Sequence, residues 1–260
     1  MKRELKSNVK LLLIFIAVLT MYEAMIISMF DPKLGKVLED MAKSMPEIFA
    51  LMGMNVAGST LIEFISNYLY GFLFVLFPSV FTIIISVKLV AGYVDKGSMA
   101  YLLASPNKRS KIVTTQIFVV VTGIFIMVLY LTLLGIMISA STFPDELDVK
   151  RFIILNVGLF GLQLFMGGIC FLCSCIFNDS KRAGGVAAAF VIAFNLIQMI
   201  SNVGEKYDNL KYLTPITLFS PVKIIAGEAS AIPMFCILYV FGIVFYVAGA
   251  IIFCKRDLPL

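Results

Sequence analysis

The sequence predicts an all-α membrane protein with six transmembrane helices, and three observations carry that expectation. Of 260 residues, 60% are hydrophobic and 14% charged, against roughly 45–50% and about 25% in soluble globular chains. Apolar stretches recur at about 11–29, 66–92, 113–140, 152–177, 184–203 and 234–254, each close to the roughly 20 residues that cross a hydrocarbon core. The polar segments between them alternate in charge. Histidine is absent and the five cysteines lie in or beside apolar runs, which removes most metal and acid–base chemistry. Cys170 and Cys173, spaced as a redox or zinc pair, have no second pair and read as small packed hydrophobes.

Residues 1–260 are read as one transmembrane domain. The basic segment Met1 to Lys10 leads into Leu11 to Phe30, longer than a signal-peptide core and followed by no small-x-small cleavage site, so an uncleaved first span is expected. Glu23 interrupts its outer third; Asp31 and Pro32 end it. Leu34, Val37, Leu38, Met41, Met45, Ile48, Phe49 and Met52 then recur at helical spacing among Lys36, Glu39, Asp40, Lys43 and Glu47. That pattern predicts an amphipathic helix on the outer membrane surface, bent at Pro46.

The second span carries Pro78, so a kink is expected, with the freed carbonyl satisfied by a neighbouring helix or water. After the third span, 141–148 form an acidic turn. In the fifth, Gly185, Ala189 and Ala193 make a small-residue ridge for close helix packing. Residues 204–233 hold short apolar pieces broken by Pro215, Pro221 and Gly227, which predicts broken or re-entrant helices before the last span.

Charge counting sets the orientation. One set of alternate ends holds thirteen cations and four carboxylates, +9; the other holds eight cations and eleven carboxylates, −3. The positive-inside rule makes the first set cytoplasmic, with both termini inside.

The loop from Gly92 to Ile112 is then cytoplasmic. Asp95 or Ser98 can cap a two-turn helix over Met99 to Ala104, stopped by Pro106 and Asn107. Its Met99, Tyr101, Leu102 and Leu103 are expected to face water beside Lys108, Arg109 and Lys111. Such a helix suits a docking partner, or it rests on lipid headgroups. The run Ala91-Gly92-Tyr93-Val94-Asp95-Lys96-Gly97-Ser98, followed by Leu102-Leu103-Ala104-Ser105-Pro106-Asn107-Lys108-Arg109, resembles the signature of type-two ABC exporter permeases. In that family an acidic pair and Gly-Thr precede Leu-Leu, a Pro and an Arg. The layout and the ending PheCysLysArgAspLeu are similar as well. Asp95-Lys96 replaces the acidic pair, Ser98 replaces Thr, and the N-terminal segment is short for the family's elbow helix.

The resemblance implies a half-transporter in a bacterial cytoplasmic membrane, paired with a second copy or a homologous permease. It further implies an ATP-binding cassette subunit docked on Asp95, Gly97, Ser98, Met99, Tyr101, Leu102, Leu103, Pro106 and Arg109. ATP and magnesium would bind that partner, since no Gly-x4-Gly-Lys-Ser/Thr loop occurs here. No cofactor, metal or nucleic acid is expected on this chain.

Two further features bear on transport. Glu23 is the one carboxylate inside a span, where a charge costs about 2.5–3.5 kcal/mol near the bilayer centre. It binds a cationic substrate or a proton, or it turns outward or pairs with an outer-loop lysine, which its nearness to the span's end favours. Asn195, Gln198 and Asn202, with Gln163 and Asn156, either line a polar conduit or bond between helices, the commoner role for such amides. A stand-alone carrier or channel using these groups is the alternative to an exporter subunit. An intramembrane enzyme would need a paired-carboxylate, Ser/His or metal constellation that the sequence lacks.

Overall fold

The computed structural model describes residues 2–31, 44–45, 60–103, 108–202 and 205–256. The amphipathic helix expected over 33–54 lies almost wholly outside the described residues. Helix α1 is Lys2–Ser28. The second span, Leu61–Asp95, is composite: α2 (Leu61–Ile65), a π-helical segment Ser66–Leu73, α3 (Phe74–Leu89) and α4 (Ala91–Asp95). The short α5 is Ser98–Leu103, and α6 (Arg109–Thr142), α7 (Val149–Ile176) and α8 (Ser180–Ser201) follow. Two 3-10 segments, Glu205–Leu213 and Pro215–Leu218, lead to the short α9 (Pro221–Ala226) and the last helix α10 (Ala231–Lys255). Six helices among the described residues are long and apolar enough to cross a membrane. The chain is a multi-pass, all-helical membrane protein, as the hydropathy pattern predicts.

Helix ends follow local chemistry. Thr60 and Glu63 form a reciprocal capping box, Thr60 Oγ1 accepting from the Glu63 amide and Glu63 Oε2 from the Thr60 amide. That box starts the second span at Leu61, five residues before the apolar run begins at about 66. Asp148 caps α7 by accepting from the Arg151 amide at 3.0 Å. Asp179 caps α8 by accepting from the amides of Lys181 and Arg182. Pro221 occupies the first turn of α9, and Gly227, at φ 74°, ends it in the left-handed conformation.

Helix α7 is the hub. Of its most apolar window 83% is buried, against 17% in α1 and α8, so the other spans pack around it. Its widest contact is with α10, and glycine makes that contact close. A Cβ on Gly168 would lie 2.8 Å from the Gly242 carbonyl oxygen, and one on Gly242 would lie 3.0 Å from backbone atoms of Leu164 and Phe165. The small-residue crossing is therefore on α7 and α10. Gly185, Ala189 and Ala193 are exposed, and a Cβ on Gly185 would meet nothing within 4 Å, so the ridge expected on α8 packs against no helix of this chain among the described residues.

The interruption of the second span is handled by α7. Pro78 has no amide hydrogen, which leaves the Phe74 carbonyl without its helical donor. Gln163 Nε2 donates to the carbonyls of Phe74 (3.2 Å) and Val75 (3.0 Å), and Gln163 Oε1 accepts from Ser79 Oγ at 3.2 Å.

Candidate functional site

Two regions gather polar chemistry: the end of the bundle that carries both termini, and the opposite end. At the terminal end the second span breaks at Val90, resumes as α4, and turns through Lys96 and Gly97 into α5. Gly97 sits at φ 67° with open space around its Cα, so its backbone conformation alone calls for glycine.

The residues of α5 separate. Met99 is fully buried and belongs to the main core, and Leu102 is half-buried against that core. Tyr101 is 84% exposed. The expectation that all of them face water is thus corrected: a two-turn helix lying on the bundle turns one side inward, so Met99 anchors it and Tyr101 presents it. The Leu103 side chain and Pro106 lie outside what the structure describes.

The expected capping roles are also redistributed. Ser98 Oγ donates to the Tyr93 carbonyl at 3.2 Å, and the Asp95 carboxylate accepts from Ser180 Oγ at the start of α8. Tyr93 Oη donates to Glu4 Oε2 on α1 at 2.7 Å. Arg109 Nη1 donates to the Arg256 carbonyl after α10 at 2.9 Å, and Arg256 Nη1 to the Cys175 carbonyl at the end of α7 at 2.7 Å. Gln116 Nε2 on α6 donates to the Leu89 carbonyl at 2.6 Å, where the second span breaks. The loop is tied directly to α1, α8 and the end of α10, and through Arg256 to the end of α7. Glu4 and Ser180 carry no motif that sequence reading could have used, and Tyr93 stood in the signature run with no role assigned to it.

At the opposite end a cavity of about 410 Å³ is lined by Thr60, Glu63, Ser66, Glu146, Asp148 and Arg151, among others. Arg151 is ion-paired with Asp148 at 3.2 Å. A smaller cavity of about 170 Å³ adjoins it through Ser66, Asn67 and Val222, and reaches Tyr70, Gln198, Asn202 and Thr217. Gln198 Nε2 donates to Asn202 Oδ1 (3.1 Å), and Gln198 Oε1 accepts from Thr217 Oγ1 (2.8 Å). Of the amides assigned to a conduit, then, Gln198 and Asn202 line this cavity, while Asn156 lines a separate apolar one of about 150 Å³ between α6, α7 and α10 and donates to the Phe152 carbonyl of its own helix. Asn195 donates to the Val191 carbonyl of its own helix, and Gln163 is consumed at the Pro78 break. The π-helical segment supplies Ser66, Asn67 and Tyr70. Polar residues opening an apolar run were its one trace in the sequence.

Glu23 is fully buried. Gly135 on α6 makes room for it, since a Cβ there would lie 2.6 Å from Glu23 Oε1 and 2.7 Å from the Phe152 ring. Among the described residues neither carboxylate oxygen has a hydrogen-bond partner. The outward turn that the sequence favoured is not seen: Glu23 lies fully buried on the α1 face that packs against α6, and the outer-loop lysines Lys33, Lys36 and Lys43 lie outside the described residues.

A family model described as "ABC-2 family transporter protein" matches residues 1–258. The chain belongs to the ABC-2 family. A protein described as the uncharacterized membrane protein YdbK of Bacillus subtilis (strain 168) is similar to it, 28% identical over 191 residues covering 68% of this chain and 76% of that protein. Membership makes the chain a membrane permease component of a transporter. The hub helix, the composite second span and α5 all fall inside the matched region.

Proposed function

We propose that the chain is the permease subunit of an ATP-driven exporter in a bacterial cytoplasmic membrane, with both termini in the cytoplasm and ATP and magnesium held by a separate ATP-binding cassette subunit. The observation that carries this reading is the division of labour in α5, where Tyr101 projects to solvent while Met99 is fixed in the core. A ligand bound at Tyr101 therefore acts on a segment continuous with the bundle.

Helix length favours docking over rest on headgroups. At about 1.5 Å per residue, the 34 residues of α6 extend to about 51 Å, well beyond a hydrocarbon core of about 30 Å. Arg109, Ser110 and Lys111 precede the apolar stretch that begins at about 113, and Thr114, Thr115 and Gln116 interrupt its start, which favours a start of α6 outside the hydrocarbon core. For the second permease copy, the exposed ridge Gly185, Ala189 and Ala193 offers a surface that a helix can approach closely.

The test is co-purification of the ATP-binding subunit with the full-length permease from cells expressing both. Tyr101→Ala together with Leu102→Ala should abolish co-purification and stimulated ATP hydrolysis. Lys108→Ala and Lys111→Ala should give partial losses that grow with salt, as rim charges do. Retention of binding and transport in the Tyr101/Leu102 variant would reduce α5 to a membrane-surface segment.

A further inference from the structure

Helices α6 and α10 both pack on the hub α7, and at the terminal end they leave a gap between them. An open groove of about 680 Å³ runs there, with α6 from Ser110 to Val121 as one wall, α10 from Ile243 to Lys255 as the other, and Phe160 and Leu164 of α7 as its floor. On α10 its apolar wall recurs at helical spacing as Ile243, Val247 and Ile251, each about half exposed. The groove therefore opens on the surface of the bundle, along two spans. Arg109 Nη1, donating to the Arg256 carbonyl at 2.9 Å, ties the start of α6 to the end of α10 beside it.

Its chemistry is graded along its length. Lys255, Ser110 and Thr114 stand at the terminal end, and no carboxylate lines any part of it. Lys255 is exposed and pairs with no carboxylate among the described residues. Further in, the lining is apolar; Tyr246 contributes its ring, because its hydroxyl is turned toward Gly167 of α7. Size decides what can lie there. From Ser110 to Val121 is about 17 Å of helix rise and from Ile243 to Lys255 about 18 Å, close to the about 15 Å of one leaflet of a hydrocarbon core about 30 Å thick. A volume of about 680 Å³ over that length leaves a cross-section of about 40 Å². A helix about 10–12 Å across presents about 80–110 Å², so the groove is too narrow to take one in.

We infer that this groove is a binding site for an anionic phospholipid of the leaflet at the terminal end, with its acyl chains between α6 and α10 and its headgroup phosphate at Lys255, Ser110 and Thr114. The ammonium supplies the charge and the hydroxyls supply donors to phosphate oxygens. A basic end between two spans at the headgroup level selects lipids by charge. A zwitterionic choline lipid carries the same chains but sets a cation beside Lys255, so the site discriminates against it. The inference needs the chain to reside in a membrane and does not depend on an ATPase.

The experiment is native mass spectrometry of the delipidated full-length protein titrated with dioleoyl phosphatidylglycerol or dioleoyl phosphatidylcholine, which reads bound lipid and oligomeric state together. The parent should bind the glycerol lipid about fivefold more tightly than the choline lipid, the effect expected of one lysine on an anionic headgroup. Lys255→Gln should abolish that preference while choline-lipid binding stays as it was. Val247→Trp, at an exposed position on the wall, should fill the groove and weaken binding of both lipids several-fold, with the thermal unfolding temperature preserved in both variants. Equal binding of the two lipids by the parent, an intact preference in Lys255→Gln, or unchanged binding in Val247→Trp would each overturn the assignment. A dimer that falls apart in Val247→Trp would give the groove to a second copy of this chain instead and overturn it as well.

Discussion

Gln163 of the fourth span donates its side-chain amide to the Phe74 carbonyl, the one that Pro78 leaves without a helical donor. Removing the donor strands a buried carbonyl, a loss of about 1–3 kcal/mol. Gln163→Leu should therefore lower the unfolding temperature of the detergent-purified protein, and Pro78→Ala, by restoring the helical bond, should recover part of the loss. Additive effects in the double variant would show that the two residues do not act on one carbonyl.

Gly97 is the second case. Its φ of 67° with nothing within 4 Å of an added Cβ makes Gly97→Ala a test of backbone strain alone, worth about 1–2 kcal/mol. The expected outcome is normal insertion with weakened ATPase co-purification, because only the turn into α5 is disturbed. Gly185→Ala, at an exposed helical site without steric conflict, should instead hold or slightly raise stability.

A third expectation concerns pH. The Arg182 and Lys181 amides donated to Asp179 hold its carboxyl below the usual carboxylate range. A carboxylate whose folded pKa is depressed adds stability that is present above its ordinary value and lost as pH falls through the lowered one. Unfolding temperature measured on acidification should decline through this window in the parent and decline less in Asp179→Asn. Matching profiles would mean that the cap does not couple to the fold.

The fourth concerns helix approach. Gly242→Val places a branched side chain against the backbone of Leu164 and Phe165, 3.0 Å from the added Cβ. Overpacking of this kind costs typically about 1–3 kcal/mol. The variant should insert poorly or melt early, while Ala193→Val on the exposed face of α8 should not.

Hydropathy made the six spans legible because bilayer-length apolar runs have no other use in this chain, and Tyr101 was legible because an exposed apolar residue in a polar loop stands out. Partner identity was not. Nothing in the spacing around Gln163 tells that its amide faces Phe74, since that depends on how α7 rotates against the second span. Met99 looked like its neighbours because periodicity over two turns cannot tell the inward side from the outward one. The π-helical stretch escaped for a different reason: it follows an apolar pattern that an α-helix would show as well. Glu23 was found but its surroundings were misjudged, because distance along the helix from the span's end says nothing about which face Gly135 and Phe152 cover.

The burial of Met99 has a thermodynamic corollary. If docking at Tyr101 changes the bundle through that anchor, free energy must flow equally in the other direction. Whatever a bound cargo does to the bundle then alters the permease's affinity for its ATPase by the same factor by which the ATPase alters affinity for cargo. The docking constant, measured with and without a candidate molecule, becomes a cargo assay that needs no transport.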